Sequence, residues 1–439
     1  MTERIDPPAA TLTADGRTLP NRWLVLLILF GIAVFNHADR YLLSGLVTPI
    51  KTEFAISDGL MGLLMGPAFA VFYTSMAIPI AIYADRANRI RIIVAGCVLW
   101  SVFTILSGFA IGPLTLAAAR IGVGIGEAAF QAPAYSLLAA YFPATQRGRA
   151  FAVIALAVYF GQMLAFGGGT AIAAQSDWRM AFIVMGTGGL VVIAIAALVV
   201  REPARIGALA ERLPIVPMFR LLSRRPSYRW MTLGMGLGVL SGLGFGFWGI
   251  ELFARSYGLS QEDAGAAFGS AFTLPGIIGA LLFGFLADYL TRKGYGRMLL
   301  LSALGLVTAT LAVLAAVWAA SLGGAVAWAI PAGLFGGGWA VGIYAGLQYI
   351  LPDRMRATGT ALAMLAINIL GYVIGPWLVG ALASHFGEGA MGLRIALSIV
   401  VPVGIIGAIV LWLGARHMDK DREELHDAGE TPAKDTGNG

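Results

Sequence analysis

The sequence predicts an all-α integral membrane protein: twelve transmembrane helices in two pseudo-symmetric six-helix bundles, with both termini in the cytoplasm. Three observations carry this expectation: a composition too apolar for a soluble domain, a regular succession of membrane-length apolar runs, and loop sequences that recur in the second half. Of 439 residues, 58% are hydrophobic and only 12% charged, with a mean hydropathy of +0.79. Soluble domains carry about 25% charged residues. The 58 glycines suit closely packed transmembrane helices. A lone cysteine, Cys97, excludes an internal disulfide framework and a cysteine metal cluster, and neither metal nor cofactor is expected. The net charge of +6 also fits a nucleic-acid binder, but basic cytoplasmic loops give the same excess, so no nucleic-acid partner is expected.

The elements follow in chain order. Residues 1–22 form a polar cytoplasmic tail without a signal-peptide pattern, and the apolar run behind it leads into charge rather than a cleavage site. That run is read as a retained first helix. Apolar runs long enough to cross ~30 Å of hydrocarbon fall at 23–50, 59–84, 91–112, 114–141, 149–173 and 179–200. In the second half they fall at 229–256, 263–287, 297–318, 325–350, 358–384 and 389–415. The longest polar connection, REPARIGALAERLPIVPMFRLLSRRPSYR, carries seven arginines. It separates a first bundle, 23–200, from a second, 229–415, through a cytoplasmic linker, 201–228. The tail 416–439 is expected to be cytoplasmic and disordered.

Loop charge sets the orientation. One side carries Arg86, Arg89, Arg91, Arg147, Arg149, the linker arginines, Arg292, Lys293, Arg297, Arg354 and Arg356. The other holds little beyond Lys51, Glu53, Asp58, Glu262, Asp263 and Glu388. The positive-inside bias puts the first side, and both termini, in the cytoplasm.

The halves also repeat. AIYADRANRIR after the second run is matched by GFLADYLTRKGYGR after the eighth, with Asp85 and Asp288 in equivalent places. FPATQRGRAFA after the fourth matches LPDRMRATGTA after the tenth, each with Arg four residues past Pro. Two related bundles with a site between them is a secondary-transporter pattern.

On these residues the chain resembles a major facilitator superfamily transporter across essentially all its spans. AIYADRANR is similar to the family's cytoplasmic loop motif, with Ala81 and Asn88 replacing two glycines, and GFLAD fits the second copy better. RIGVGIGEAAF resembles the motif of span four, with Glu127 where a small residue is usual. NHADR of span one, taken with that Glu, most resembles the spinster branch, proton-linked carriers of lysolipids and sphingoid phosphates. Organic-anion symporters of the same superfamily share a similar Asn-x-x-Asp-Arg.

Charges within the apolar runs mark the candidate site, because each costs at least ~2.5–3.5 kcal/mol at mid-bilayer. Asn36, Asp39 and Arg40 share one helical face. Arg120, Gly124, Glu127, Gln131 and Tyr135 form a second polar stripe, in which Arg120 and Glu127 lie about 10 Å apart along the axis. Asp39 and Glu127 fall at similar depth, so two acids and two bases are expected to meet in a central pocket. One reading is a permanent pair of buried salt bridges. The other, favoured because such pairs stabilise poorly, is a proton relay beside an anion site. The spinster resemblance implies that Asp39 and Glu127 handle the proton while Arg40 and Arg120 meet the anionic head. His37 either joins the relay or bonds a neighbouring helix.

The second half has few such charges: Glu251 and Arg255 near the outer end of span seven, and Arg394 early in span twelve. Its aromatic residues, Trp248 and Trp339 among them, are expected to contribute an apolar wall. A cavity charged on one side and apolar on the other suits an amphipathic anion. Asp85, Arg86, Arg89, Arg149, Asp288 and Arg292 at the cytoplasmic ends resemble the superfamily's gating latch. GFGFWG fits GxGxxG but lies within an apolar span, so it is not a dinucleotide site. No nucleophile–base pair or metal spacing supports an enzyme. The expected partners are the proton, an amphipathic or small organic anion and the bilayer. The protein is expected in the cell membrane, plasma or inner, and as a monomer.

Overall fold

The computed structural model describes residues 12–13, 17–84, 86–204, 215–291 and 294–430. Among them the regular structure is helical, apart from isolated bridges between Leu12 and Thr18 and between Thr13 and Pro203. Eleven helices are long and apolar enough to cross a membrane: Arg22–Gly45, Asp58–Ala84, Arg89–Ser107, Thr145–Gln175, Trp178–Val199, Pro226–Tyr257, Gln261–Thr291, Gly296–Val317, Leu322–Ile350, Thr358–His385 and Ala390–Ala415. The fourth predicted run comes out as two helices, Pro113–Glu127 and Gln131–Tyr141, joined by a turn immediately after Glu127. Each half is too short to be counted alone. The tenth run breaks at a corresponding place, between Leu322–Gly338 and Val341–Ile350. In both, a glycine-rich stretch precedes the break, where helix propensity is weakest.

Starts are set by local chemistry. Asn21, Ser57, Asn88, Ser260 and Ser321 each accept a backbone N–H from the first turn of the helix that follows. Asp58 and Asp263 both sit in such first turns, where the helix dipole favours an acid. The repeat is local only: Asp58 is fully buried and Asp263 is exposed. Three helices contain π-turns, at Leu164–Gly169, Gly269–Thr273 and Ile369–Ile374. Such turns add a residue and redirect side chains, often at functional positions.

The apolar core falls into three clusters. One joins the halves at the arginine-poor end, with Tyr41, Leu46, Ile50, Met61 and Phe166 of the first half packed with Phe245, Trp248, Phe253 and Phe268 of the second. The other two lie towards the arginine-rich end. One takes its buried members from the first half, among them Leu29, Phe69, Trp100 and Leu138; the other takes them from the second half, among them Met231, Leu299, Trp339 and Leu411. The halves therefore share a core at one end and keep separate cores at the other.

The tail departs from expectation. Met418–Glu430 is a helix, not a disordered segment. Met418 and Leu425 are fully buried, Arg225 pairs with Glu424, and Asp421 accepts the Ser227 N–H at 2.7 Å. Asp421 thus caps the start of Pro226–Tyr257 from outside that helix. Polarity hid this because the segment buries only one apolar edge.

Candidate functional site

Two close approaches set the broken fourth helix against its neighbours. A Cβ on Gly124 would stand 2.5 Å from the Phe69 carbonyl oxygen, and one on Gly126 2.5 Å from the Trp100 nitrogen. Only glycine permits both contacts, and they bring Arg120 and Glu127 against the second and third helices. A Cβ on Gly161 would stand 2.6 Å from that of His37, which fixes the first helix against the fifth.

Asp39 and Arg40 then meet Arg120 and Glu127, while Asn36, on the same helix, is buried with its Nδ2 unpartnered. Arg40 Nη2 donates to Glu127 Oε2 at 2.7 Å, and Arg120 Nη1 donates to Asp39 Oδ2 at 3.0 Å. Asp39 is 2% exposed, Glu127 1% and Arg120 0%. Thr104, on the third helix, donates to Asp39 Oδ1 at 2.7 Å. Both Asp39 oxygens are therefore engaged. Glu127 Oε1, by contrast, has no partner, nor do Arg120 Nε and Nη2, Arg40 Nε, Asn36 Nδ2 and His37 Nδ1. Rings of Phe69 and Tyr73 face the Arg40 guanidinium at 5.0 and 4.8 Å, and Phe69 also faces Arg120 at 5.2 Å. Such contacts are worth roughly 2 kcal/mol when desolvated. Tyr372, from the eleventh helix, faces Arg40 at 5.2 Å.

The remaining candidates are spread more widely. Gln131 accepts the Tyr73 hydroxyl at 3.0 Å, one contact from Arg40, and Tyr135 packs edge-on to Phe151. Trp248 and Trp339 are buried as packing residues away from the ion pairs. The Trp248 indole donates to the Pro376 carbonyl at 2.9 Å inside the shared core, and Trp339 fills the second half's own core against Gly238 and Gly305. Of the gating set, Arg89 binds Glu202, at the start of the linker, at 2.7 Å and the Ser136 carbonyl of its own half at 3.0 Å. Arg86, Arg149 and Asp288 are exposed, while Asp85 and Arg292 lie outside the described residues.

A second polar network bridges the halves at the arginine-poor end. Buried Asp58 takes both terminal nitrogens of Arg255, at 2.6 and 2.8 Å, and also pairs with Lys51. Arg255 Nε donates to the equally buried Glu251 at 2.7 Å, which accepts from Thr48 at 2.5 Å and from Gln261 at 3.1 Å. Glu388 accepts from Lys51 at 3.2 Å, from the Asp58 N–H at 3.1 Å and from Ser384 at 3.0 Å. Burial pushes the Glu388 carboxyl up, but hydrogen bonds from Ser384, the Asp58 N–H and Lys51 outweigh it and hold it below the usual range. The sequence did display one signal for this network: Glu251 and Arg255 at i, i+4 spacing inside an apolar run. It gave no sign of their partners across the bundle boundary.

The Major Facilitator Superfamily profile matches residues 29–369 and 249–436. An MFS-type efflux pump of Mycolicibacterium smegmatis is 30% identical over 431 residues, covering 94% of this chain and 98% of that protein. Protein spinster homolog 1 of Xenopus tropicalis is 27% identical, covering 94% and 84%. A crystal structure of a bacterial homolog to the human lysosomal transporter Spinster, inward-facing and unoccupied, matches with a TM-score of 0.81 at 27% identity over 92% of this chain and 99% of that one. A D-xylose–proton symporter shares the fold, with a TM-score of 0.68 at 19% identity over 90% of this chain and 98% of that one. With its repeated halves, its membrane-length helices and this agreement over nearly the whole length, the chain belongs to the Major Facilitator Superfamily: it is a multi-pass membrane transporter related to the spinster proteins, and not an enzyme.

Proposed function

We propose that this transporter couples protons to the movement of an amphipathic anion, such as a lysophospholipid or sphingoid phosphate, by alternating access. The broken fourth helix is read as one further span, making twelve, with both termini in the cytoplasm. The sealed end then faces outward, and the conformation is inward-facing. We place the protein in the cell membrane, plasma or inner, acting as a monomer.

The observation that carries the reading is the imbalance of partners in the central cluster: Arg120 keeps two donors unpartnered and Glu127 one acceptor, all buried. Unpaired polar atoms in a low dielectric are costly, so such a pocket favours groups that complete it. A phosphate oxygen pair matches the free edge of the Arg120 fork. A proton matches Glu127 Oε1. Protonation there weakens the hold on Arg40, whose charge then turns to the anion. Asp39, engaged at both oxygens, holds Arg120 in place until the pocket rearranges, and His37 is a secondary proton candidate. The spinster resemblance of span one and Glu127 implies a lipid-like cargo, and the relative named an efflux pump supports outward movement.

The test is proton movement in proteoliposomes, followed with a pH-sensitive dye, against a panel of lysophospholipids, sphingoid phosphates and small carboxylates. Lysolipid-dependent proton movement supports the proposal. A response to small carboxylates alone replaces it with a small-organic-anion symporter, which the shared Asn-x-x-Asp-Arg of span one also fits. Asp39→Asn and Arg120→Ala should each abolish coupled uptake in protein that still melts cooperatively. Normal pH-driven transport by both would reject the site.

A further inference from the structure

We infer that Tyr372 is the positioning residue by which the second half controls access to Arg40, covering the Arg40–Glu127 pair until an anion displaces the ring. The inference rests on the proposed roles of Arg40 and Glu127. Its evidence is separate and lies in three features of the eleventh helix.

Arg40 is 5% exposed although its Nε has no partner. Phe69 and Tyr73 cover it from its own half, and Tyr372 completes the enclosure from the other. Tyr372 itself is only half-buried, and it packs against both the shared core and the first half's own core. It therefore stands where the two halves stop sharing a core.

The backbone holds it there. Tyr372 lies in the π-turn Ile369–Ile374, and the second helix breaks at Gly66 directly opposite, between Asp58–Met65 and Pro67–Ala84. A Cβ on Gly66 would stand 2.9 Å from the Tyr372 carbonyl oxygen, and one on Gly62 2.7 Å from that of Pro376. Two irregular helices from opposite halves thus touch backbone to backbone beside the ion pair. A tilt of one half against the other moves the Tyr372 ring relative to Arg40. An anion that takes the face of Arg40 must first displace that ring, so binding and tilting act on the same contact.

The experiment compares wild type, Tyr372→Phe, Tyr372→Leu and Tyr372→Ala as full-length protein in proteoliposomes. Proton influx is read with and without lysophosphatidylglycerol under an imposed pH gradient. Wild type and Tyr372→Phe should move protons only with the lysolipid. Tyr372→Ala and Tyr372→Leu should raise lysolipid-independent influx by about thirtyfold, the scale of a lost desolvated ring–cation contact. Leu fills most of the ring's volume, so a leak in that variant is not a folding defect. Coupling as tight as wild type in both the Leu and Ala variants overturns the inference. Wild type that moves no protons with any cargo overturns the proton-linked reading beneath it, and the inference falls with it.

Discussion

Arg255 grips Asp58 across the two halves through both terminal nitrogens, at 2.6 and 2.8 Å, with the carboxylate wholly buried. Removing one partner of a buried pair costs about 3–5 kcal/mol, and here the cost falls on the sealed state alone. Reversing a 1:99 preference takes ~5.5 kcal/mol, so Arg255→Ala should turn a sealed population into a mixture. Spin labels on the loops at positions 55 and 387 should then report a second, longer distance. A distribution identical to wild type would show that this network does not hold the sealed end.

The two central acids should separate in their variants. Glu127→Gln mimics the protonated form, so it should bind anion with little dependence on pH while moving no protons. Asp39→Asn leaves Arg120 without its charged acceptor and should lower thermal stability by about 3–5 kcal/mol. Binding isotherms at two pH values, with melting curves on the same samples, distinguish the two. Equal pH dependence in Glu127→Gln and wild type would remove Glu127 from the proton path.

Thr104 lies outside both polar stripes yet fixes one oxygen of Asp39 at 2.7 Å. Thr104→Val keeps the shape and deletes the donor, which costs about 1.5–3 kcal/mol for a bond to a charged group. We expect coupled uptake to fall, because Asp39 loses one of the two side-chain bonds that orient it. Thr104→Ser should restore it, and a Val variant with unchanged uptake would assign Thr104 to packing.

At the arginine-poor end, hydrogen bonds from Arg179 and the Trp178 indole hold the Glu53 carboxyl at about 2, against a usual 4.5. The folded value lies below the unfolded one. Its stabilising contribution is therefore present above about pH 4.5 and lost as pH falls through about 2. Glu53→Gln should reduce the drop in melting temperature between pH 6 and pH 3, modestly because the pair is solvent-screened. An unchanged drop would mean that other carboxylates account for it.

The succession of membrane-length helices and the family were legible because hydropathy and motifs are properties of contiguous sequence. The meeting of Asp39, Arg40, Arg120 and Glu127 was legible for a related reason: a mid-membrane charge demands a partner, and few were available. Trp248 and Trp339 were misleading because an aromatic residue in a membrane helix looks alike whether it lines a cavity or fills a core. Lys51, Asp58 and Glu388 read as ordinary loop charges, since the burial of Asp58 and its pairing with Arg255 depend on residues from the distant half. Tyr372 was among the second half's aromatic candidates, but its place against Arg40 depends on the other half and is not written in its own helix.

The 32-residue helix Pro226–Tyr257 carries no break, unlike the fourth and tenth. At 1.5 Å per residue it is a rod of about 48 Å, tied to the tail helix through Asp421 at one end and to Asp58 through Arg255 at the other. One uninterrupted helix therefore joins the docking place of the tail to the Arg255–Asp58 pair. The tail's capping contact and the inter-half ion pair are thus two ends of the same element rather than separate features.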